Sequence, residues 1–154
     1  MSSVGTTIPD LSAPDQTGQT RSLRELLGNQ GAIIYFYPKD NTPGCTLEAN
    51  DFQSLHKEFL ALGYSIIGIS KDSVKSHAHF CSKHTLEFTL LSDQDGALCT
   101  AFGVWQEKTM YGKTSMGIVR TTFVVNALGI IQAVYPKVKT KGHAADVLND
   151  LNTP

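Results

Sequence analysis

Cys45 closes the segment Pro38-Lys39-Asp40-Asn41-Thr42-Pro43-Gly44-Cys45, where the chain gathers most of its reactive potential. Before it lies a continuous apolar run, Gly31 to Tyr37. After it comes an amphipathic stretch in which Phe52, Leu55, Phe59 and Leu62 recur at spacings of three and four. A thiol at that junction meets the uncapped backbone N–H groups of a helix start and the positive end of the helix dipole. Both favour thiolate over thiol, and the thiolate is the nucleophile. Thr42 stands three residues earlier, where a dithiol exchanger would carry the first cysteine of C-x-x-C. A hydroxyl forms no disulfide but donates and accepts hydrogen bonds, which suits a polar oxygen substrate. Pro38 and Pro43 stiffen the loop around the sulfur.

Two further residues bear on that site. Arg120 falls in Ile118 to Val125, which reads as one strand with Ile118, Arg120, Thr122 and Val124 on a common face. A permanent charge there needs an anion. A thiolate would serve, and a surface carboxylate is the plainer alternative. Glu48, expected in the first turn of the helix after Cys45, is explained equally well by the helix dipole.

The elements that must position these residues alternate between strand and helix. Gly31–Tyr37 and Tyr64–Ser70 read as strands buried on both faces, and Gly63 stops the helix between them. Asp72 or Ser73 can cap a helix to about His84. Phe88–Leu91 is a short strand and Asp95–Phe102 a short helix. Asn126–Gly129 joins two strands as a hairpin, and a last helix runs from His143 to Leu151. Asp15-Gln16-Thr17-Gly18 reads as the turn of an N-terminal hairpin. The order predicts an α/β domain with a mixed central sheet flanked by helices, and thioredoxin-like topology fits it.

Composition excludes several classes. Thirteen Lys+Arg balance 14 Asp+Glu for a net charge of −1, without the basic excess of a nucleic-acid binder. No apolar run is long enough to cross a membrane. Residues 1–10 show no basic region followed by an apolar one, so a cytoplasmic protein is expected. Three widely spaced cysteines make no disulfide framework. His77, Cys81 and His84 share one helical face, but zinc wants a fourth ligand or an open water position, and no second Cys/His pair stands at finger spacing. No metal or other cofactor is expected.

The pattern P-x-x-x-T-x-x-C resembles the peroxidatic motif of peroxiredoxins, and YFYPKDNTPGCTLEANDF resembles the peroxiredoxin Q (bacterioferritin comigratory protein) subfamily. The similarity extends through Ala13-Pro14-Asp15, Gly68-Ile69-Ser70, Leu90-Leu91-Ser92-Asp93, Gly103-Val104-Trp105 and Arg120-Thr121-Thr122-Phe123. It implies a single thioredoxin-like domain over residues 1–154 and a thiol-specific peroxidase acting on hydrogen peroxide and organic hydroperoxides. It further implies that Cys45 becomes a sulfenic acid in a pocket built by Pro38, Thr42 and Arg120. Glu48 would orient Arg120. Thioredoxin, or a glutaredoxin- or glutathione-type thiol, would supply the reducing equivalents, and a monomer is expected.

A sulfenic acid is reduced most simply by a second thiol. Many peroxiredoxin Q proteins carry that cysteine five residues after the first, where this chain has Asn50. Others place it on the next helix, which points to Cys81, in a polar and partly exposed stretch. Local unwinding around Cys45, Cys81 or both is then required. Core packing of Val74, Ala78 and Cys81 is the competing explanation. Cys99, among small residues, reads as buried and inert. A one-cysteine peroxidase using an external thiol and a non-turnover redox sensor or chaperone are the alternatives.

Overall fold

The computed structural model describes residues Met1 to Thr153. Strand β3 (Gly31–Phe36) is buried at every position, as its unbroken apolar sequence requires, and sits at the centre of a five-stranded sheet. β4 (Tyr64–Ser70) and β5 (Thr89–Ser92) extend the sheet in parallel on one side of it. On the other side β8 (Thr121–Asn126) runs antiparallel to β3 and β9 (Ile131–Tyr135) antiparallel to β8, which gives the spatial order β5-β4-β3-β8-β9. The mixed sheet flanked by helices is the expected architecture. An N-terminal hairpin, β1 (Ser12–Pro14) and β2 (Thr20–Ser22), turns where Asp15 Oδ1 accepts from the Thr17 and Gln19 amides.

Alternation along the central strands sorts the core into two layers. Ile34, Phe36, Ile67, Ile69, Phe123 and Val125 face one side, together with Cys99 and Phe102 of α4 (Ala97–Phe102). Ile33, Tyr35, Ile66, Leu90 and Val124 face the other. Here they meet Cys45 and Phe52 of α1 (Pro43–Ser54), Phe59 of α2 (His56–Ala61), Cys81 of α3 (Val74–His84) and Val147 of α5 (His143–Asn152). Cys45 and Cys81 therefore share a layer, and the sheet separates both from Cys99.

Three segments depart from the sequence reading. The helix after Cys45 is two helices, because Leu55 leaves helical geometry (φ −103°, ψ 6°) and the chain restarts as α2. Residues Trp105–Met110 (β6) and Lys113–Ile118 (β7) form a separate hairpin. Its turn residues, Tyr111 and Gly112, both have positive φ (52° and 76°), as a tight two-residue hairpin turn demands. It is mostly exposed and so carries none of the apolar alternation that marks a strand in sequence. Third, the expected strand Ile118–Val125 is interrupted. Val119 and Arg120 form the step by which the chain passes from β7 into β8 of the central sheet.

The Tyr35 ring stacks on Phe52 at 4.7 Å between centroids, yet its buried hydroxyl has no hydrogen-bond partner among the described residues. Gly68 makes room for it, since a Cβ there would lie 3.0 Å from that oxygen. An orphaned buried hydroxyl is a standing cost. Tyr35→Phe should raise stability by about 1 kcal/mol, seen as a higher urea midpoint at unchanged slope. A lower midpoint would mean that the hydroxyl is satisfied in solution.

Candidate active site

β3 delivers the chain to the loop that carries the reactive segment. Tyr37 is buried, Pro38 half-buried, and Asp40 is drawn back under the surface. Asn41 takes the left-handed conformation (φ 61°), which Asn tolerates better than most residues. Thr42 is the N-cap of α1 and Pro43 its first residue, so Cys45 lies in the first turn. The Thr42 hydroxyl does not cap the helix: it donates to the Lys39 carbonyl at 2.9 Å. Its proton is thus committed within the loop while its lone pairs remain free to accept.

The guanidinium of Arg120 reaches this turn from the opposite side. Nη2 donates to Cys45 Sγ at 3.0 Å, and Nη1 donates to Glu48 Oε1 at 3.2 Å. The backbone on either side of it is pinned, with the Val119 amide donating to the Val104 carbonyl and the Arg120 carbonyl accepting from Val138. Gly44 lets the guanidinium approach, because a Cβ there would sit 3.1 Å from Nη2. Arg120 therefore projects from the step between two strands, not from within one strand as the alternation suggests.

Glu48 stands in the second turn of α1, past the reach of the N-terminal dipole. Its carboxylate is 1% exposed and faces Arg120. Burial pushes its carboxyl up to about 7, against the charge and hydrogen bond of Arg120, which pull it down. The folded protein consequently holds a proton here between about pH 4.5 and 7 that the unfolded chain releases. This contribution to stability is full below pH 4.5 and fades as pH rises through 7. Glu48→Gln, which mimics the protonated acid, should leave stability unchanged near pH 4 and raise it by up to about 3 kcal/mol at pH 8. Urea titrations of both proteins at the two pH values check this, and a pH-independent difference would refute it.

Beside Arg120 opens a groove of about 630 Å³ lined by Lys108, Met110, Val119, Lys137 and Val138. Burial, and then the neighbouring Arg120 charge, lower the basicity of the Lys108 ammonium. Neither Lys108 nor the β6–β7 hairpin that carries it was legible as part of the site. Only the hairpin fold brings residue 108 beside residue 120.

All three cysteines are free thiols. Cys81 is 9% exposed and packs with Phe80 against the core layer that also holds Cys45. The expectation of a partly exposed thiol is therefore corrected: α3 buries His77, Phe80 and Cys81, and it is Ala78 that faces out. Burial, then the Asp40 charge, push the Cys81 thiol up to about 11. Cys99 is fully buried, and burial and its Asp93 neighbour drive its thiol well above the ordinary range. His77 has both ring nitrogens engaged, by Asp40 Oδ2 at 2.7 Å and the Leu91 carbonyl at 3.0 Å, which takes it out of any ligand set with Cys81 and His84.

A cysteine in a helix's first turn, with a guanidinium on its sulfur and an ordered Thr loop beside it, can be matched against known proteins. The sequence profile of the AhpC/TSA family covers residues 4–134. The chain belongs to the AhpC/TSA family. Within it, a putative peroxiredoxin bcp of Coxiella burnetii is 47% identical over 148 residues, 96% of this chain and 97% of that protein. A structure of Xanthomonas campestris peroxiredoxin Q superposes with a TM-score of 0.89 at 46% identity, covering 97% of this chain and 96% of that one. A second structure, of X. campestris bacterioferritin comigratory protein in trapped intermediate/ligand complexes that bear on its alkyl peroxide reduction, gives 0.89 at 44% identity, with 97% and 98% covered. The chain is thus a peroxiredoxin of the Q type, a thioredoxin-fold oxidoreductase that reduces peroxides with a cysteine thiol. No described helix is long and apolar enough to cross a membrane.

Proposed function

We propose that Cys45 is the peroxidatic nucleophile and that Cys81 resolves it. The observation that carries the first assignment is the 3.0 Å contact from Arg120 Nη2 to Cys45 Sγ. The thiolate attacks one peroxide oxygen, the O–O bond breaks, and its electron pair leaves with the other oxygen. The sulfur becomes a sulfenic acid, and the leaving alkoxide or hydroxide takes a proton to become alcohol or water. Negative charge moves from sulfur to that oxygen during the step, and Arg120 stands where it can stabilise both ends. Thr42 Oγ1, whose O–H donates to the Lys39 carbonyl, accepts from a peroxide O–H. Pro38 walls the pocket, and Glu48 holds the guanidinium in place.

The thiol of Cys81 then condenses with the sulfenic acid, forming a disulfide and releasing water. Cys81 is preferred to Cys99 because it lies in the same core layer as Cys45. A protein dithiol of the thioredoxin type, or a glutaredoxin- or glutathione-type thiol, returns both cysteines to the reduced state. The protein acts in the cytoplasm as a monomer. Intact mass and non-reducing peptide mapping after one equivalent of hydrogen peroxide test this reading. A loss of two hydrogens with a Cys45–Cys81 cross-link is the expected result. A persistent oxygen adduct on Cys45 would make the protein a one-cysteine peroxidase or a sensor, and an unreactive Cys45 would remove the nucleophile assignment.

A further inference from the structure

A buried polar knot joins the reactive loop to the helix that carries Cys81. Asp40, two residues before Thr42, is 4% exposed and His77 is fully buried. The Asp40 carboxylate accepts from Tyr37 Oη at 2.6 Å, Ser76 Oγ at 2.8 Å and His77 Nδ1 at 2.7 Å. Its amide donates to Asp72 Oδ2 at 2.9 Å, so the loop is tied to the start of α3 by backbone and side chain alike. His77 Nε2 faces the Leu91 carbonyl at 3.0 Å, and a carbonyl can only accept. His77 is thus held between Asp40 on one ring nitrogen and the β5 backbone on the other. Burial works against ionising Asp40, yet the hydrogen bonds and charge of His77, with Tyr37 and Ser76, hold its carboxyl below the ordinary value. Neither residue of the pair is hydrogen-bonded to the Cys45 sulfur, whose side-chain partner is Arg120.

Cys81 follows His77 by one helical turn, and Cys45 follows Asp40 by five residues. The Asp40–His77 pair therefore spans the same gap, loop to α3, that a Cys45–Cys81 disulfide must span. A disulfide needs Cα atoms within about 7 Å. Both cysteines are free and buried on separate helices, and the proposed resolution step has loop and helix shift relative to one another. The far end of α3 offers less resistance, since it ends on Thr85 in the left-handed conformation (φ 52°), where glycine is the usual residue.

We propose that Asp40 and His77 are a positioning pair that couples the peroxide pocket to the resolving helix: formed, it holds both in place for attack on peroxide; broken, it releases α3 so that Cys81 reaches the sulfenic acid. This rests on Cys81 as resolver. Its signature is an opposite effect on the two half-reactions, because one carboxylate orders the loop of Thr42 and Cys45 and restrains α3 as well. A pair that only stabilised the fold would not speed the second step.

The test is rapid-quench alkylation with intact-mass readout on the full chain, which times thiol loss and disulfide formation separately. In Asp40→Asn and His77→Gln, sulfenic acid formation should slow about tenfold and disulfide formation should accelerate about tenfold. Ser76→Ala, which removes one neutral donor from the same carboxylate, should move both steps in the same directions by about two- to threefold. It decides the matter if the Asp40 and His77 variants fail to fold. Disulfide formation that is unchanged or slower in the folded variants overturns the coupling and leaves the resolver assignment standing. A wild-type protein that makes no Cys45–Cys81 cross-link overturns both.

Discussion

Replacing Arg120 with Met should slow the reaction of Cys45 with hydrogen peroxide by about 10²–10³-fold, the usual cost of losing one preorganised donor to developing oxyanion charge. The effect is large because Arg120 is the only cation within hydrogen-bonding distance of the sulfur among the described residues. Met keeps much of the length and apolar stem, so the loss is of charge and fork and not of packing. Arg120→Lys should recover only part of the rate. The guanidinium serves Cys45 with Nη2 and Glu48 with Nη1 together, and a single ammonium on a flexible stem cannot reproduce that planar fork. Stopped-flow competition for peroxide measures both variants. A Met variant within threefold of wild type would mean that the helix terminus alone activates the sulfur. A Lys variant at full rate would mean that the fork is irrelevant and only the charge counts.

Arg120 also marks where the sequence is readable and where it stops being so. Its need for an anion follows from its chemistry, and a thiolate partner could be inferred from Cys45 alone. Its placement could not, because two strands of separate sheets abut at residues 118 and 121 and read as one continuous alternating strand. β3 was legible since it is buried on both faces at every position, and β4 since it is buried on both faces from Ile66 to Ser70. The β6–β7 hairpin was invisible for the opposite reason, as its side chains mostly meet water. Cys81 illustrates a third limit. A polar-looking helix, HAHFCSKH, hides a buried face because His77, a residue scored as polar, is satisfied inside by Asp40 and Leu91. Its partners lie 37 and 14 residues away, and no local pattern announces them.

That burial sets the terms for the other large effect, the exchange of Cys81 for Ser. The first turnover should be untouched, because the hydrogen bonds that hold Cys45 Sγ and Thr42 Oγ1 run to Arg120 and the Lys39 carbonyl and do not involve Cys81. Steady-state reduction of peroxide with a protein dithiol should fall by about 100-fold or more, since an intramolecular thiol is replaced by one that must arrive from solution. The sulfenic acid then persists, and excess peroxide carries it on to sulfinic acid, a gain of two oxygens in the intact mass. In the folded state the Cys81 thiol ionises only near 11. Release from the core to an ordinary value near 8.5 raises its thiolate fraction at neutral pH by about 300-fold. If Cys81 resolves Cys45 as proposed, the unwinding that brings the two sulfurs together would also activate the second one. Cys99→Ser supplies the contrast. Its thiol is fully buried on the other side of the sheet, so peroxide turnover should stay within about twofold of wild type. A Cys81→Ser protein that turns over normally while Cys99→Ser does not would transfer the resolving role across the sheet.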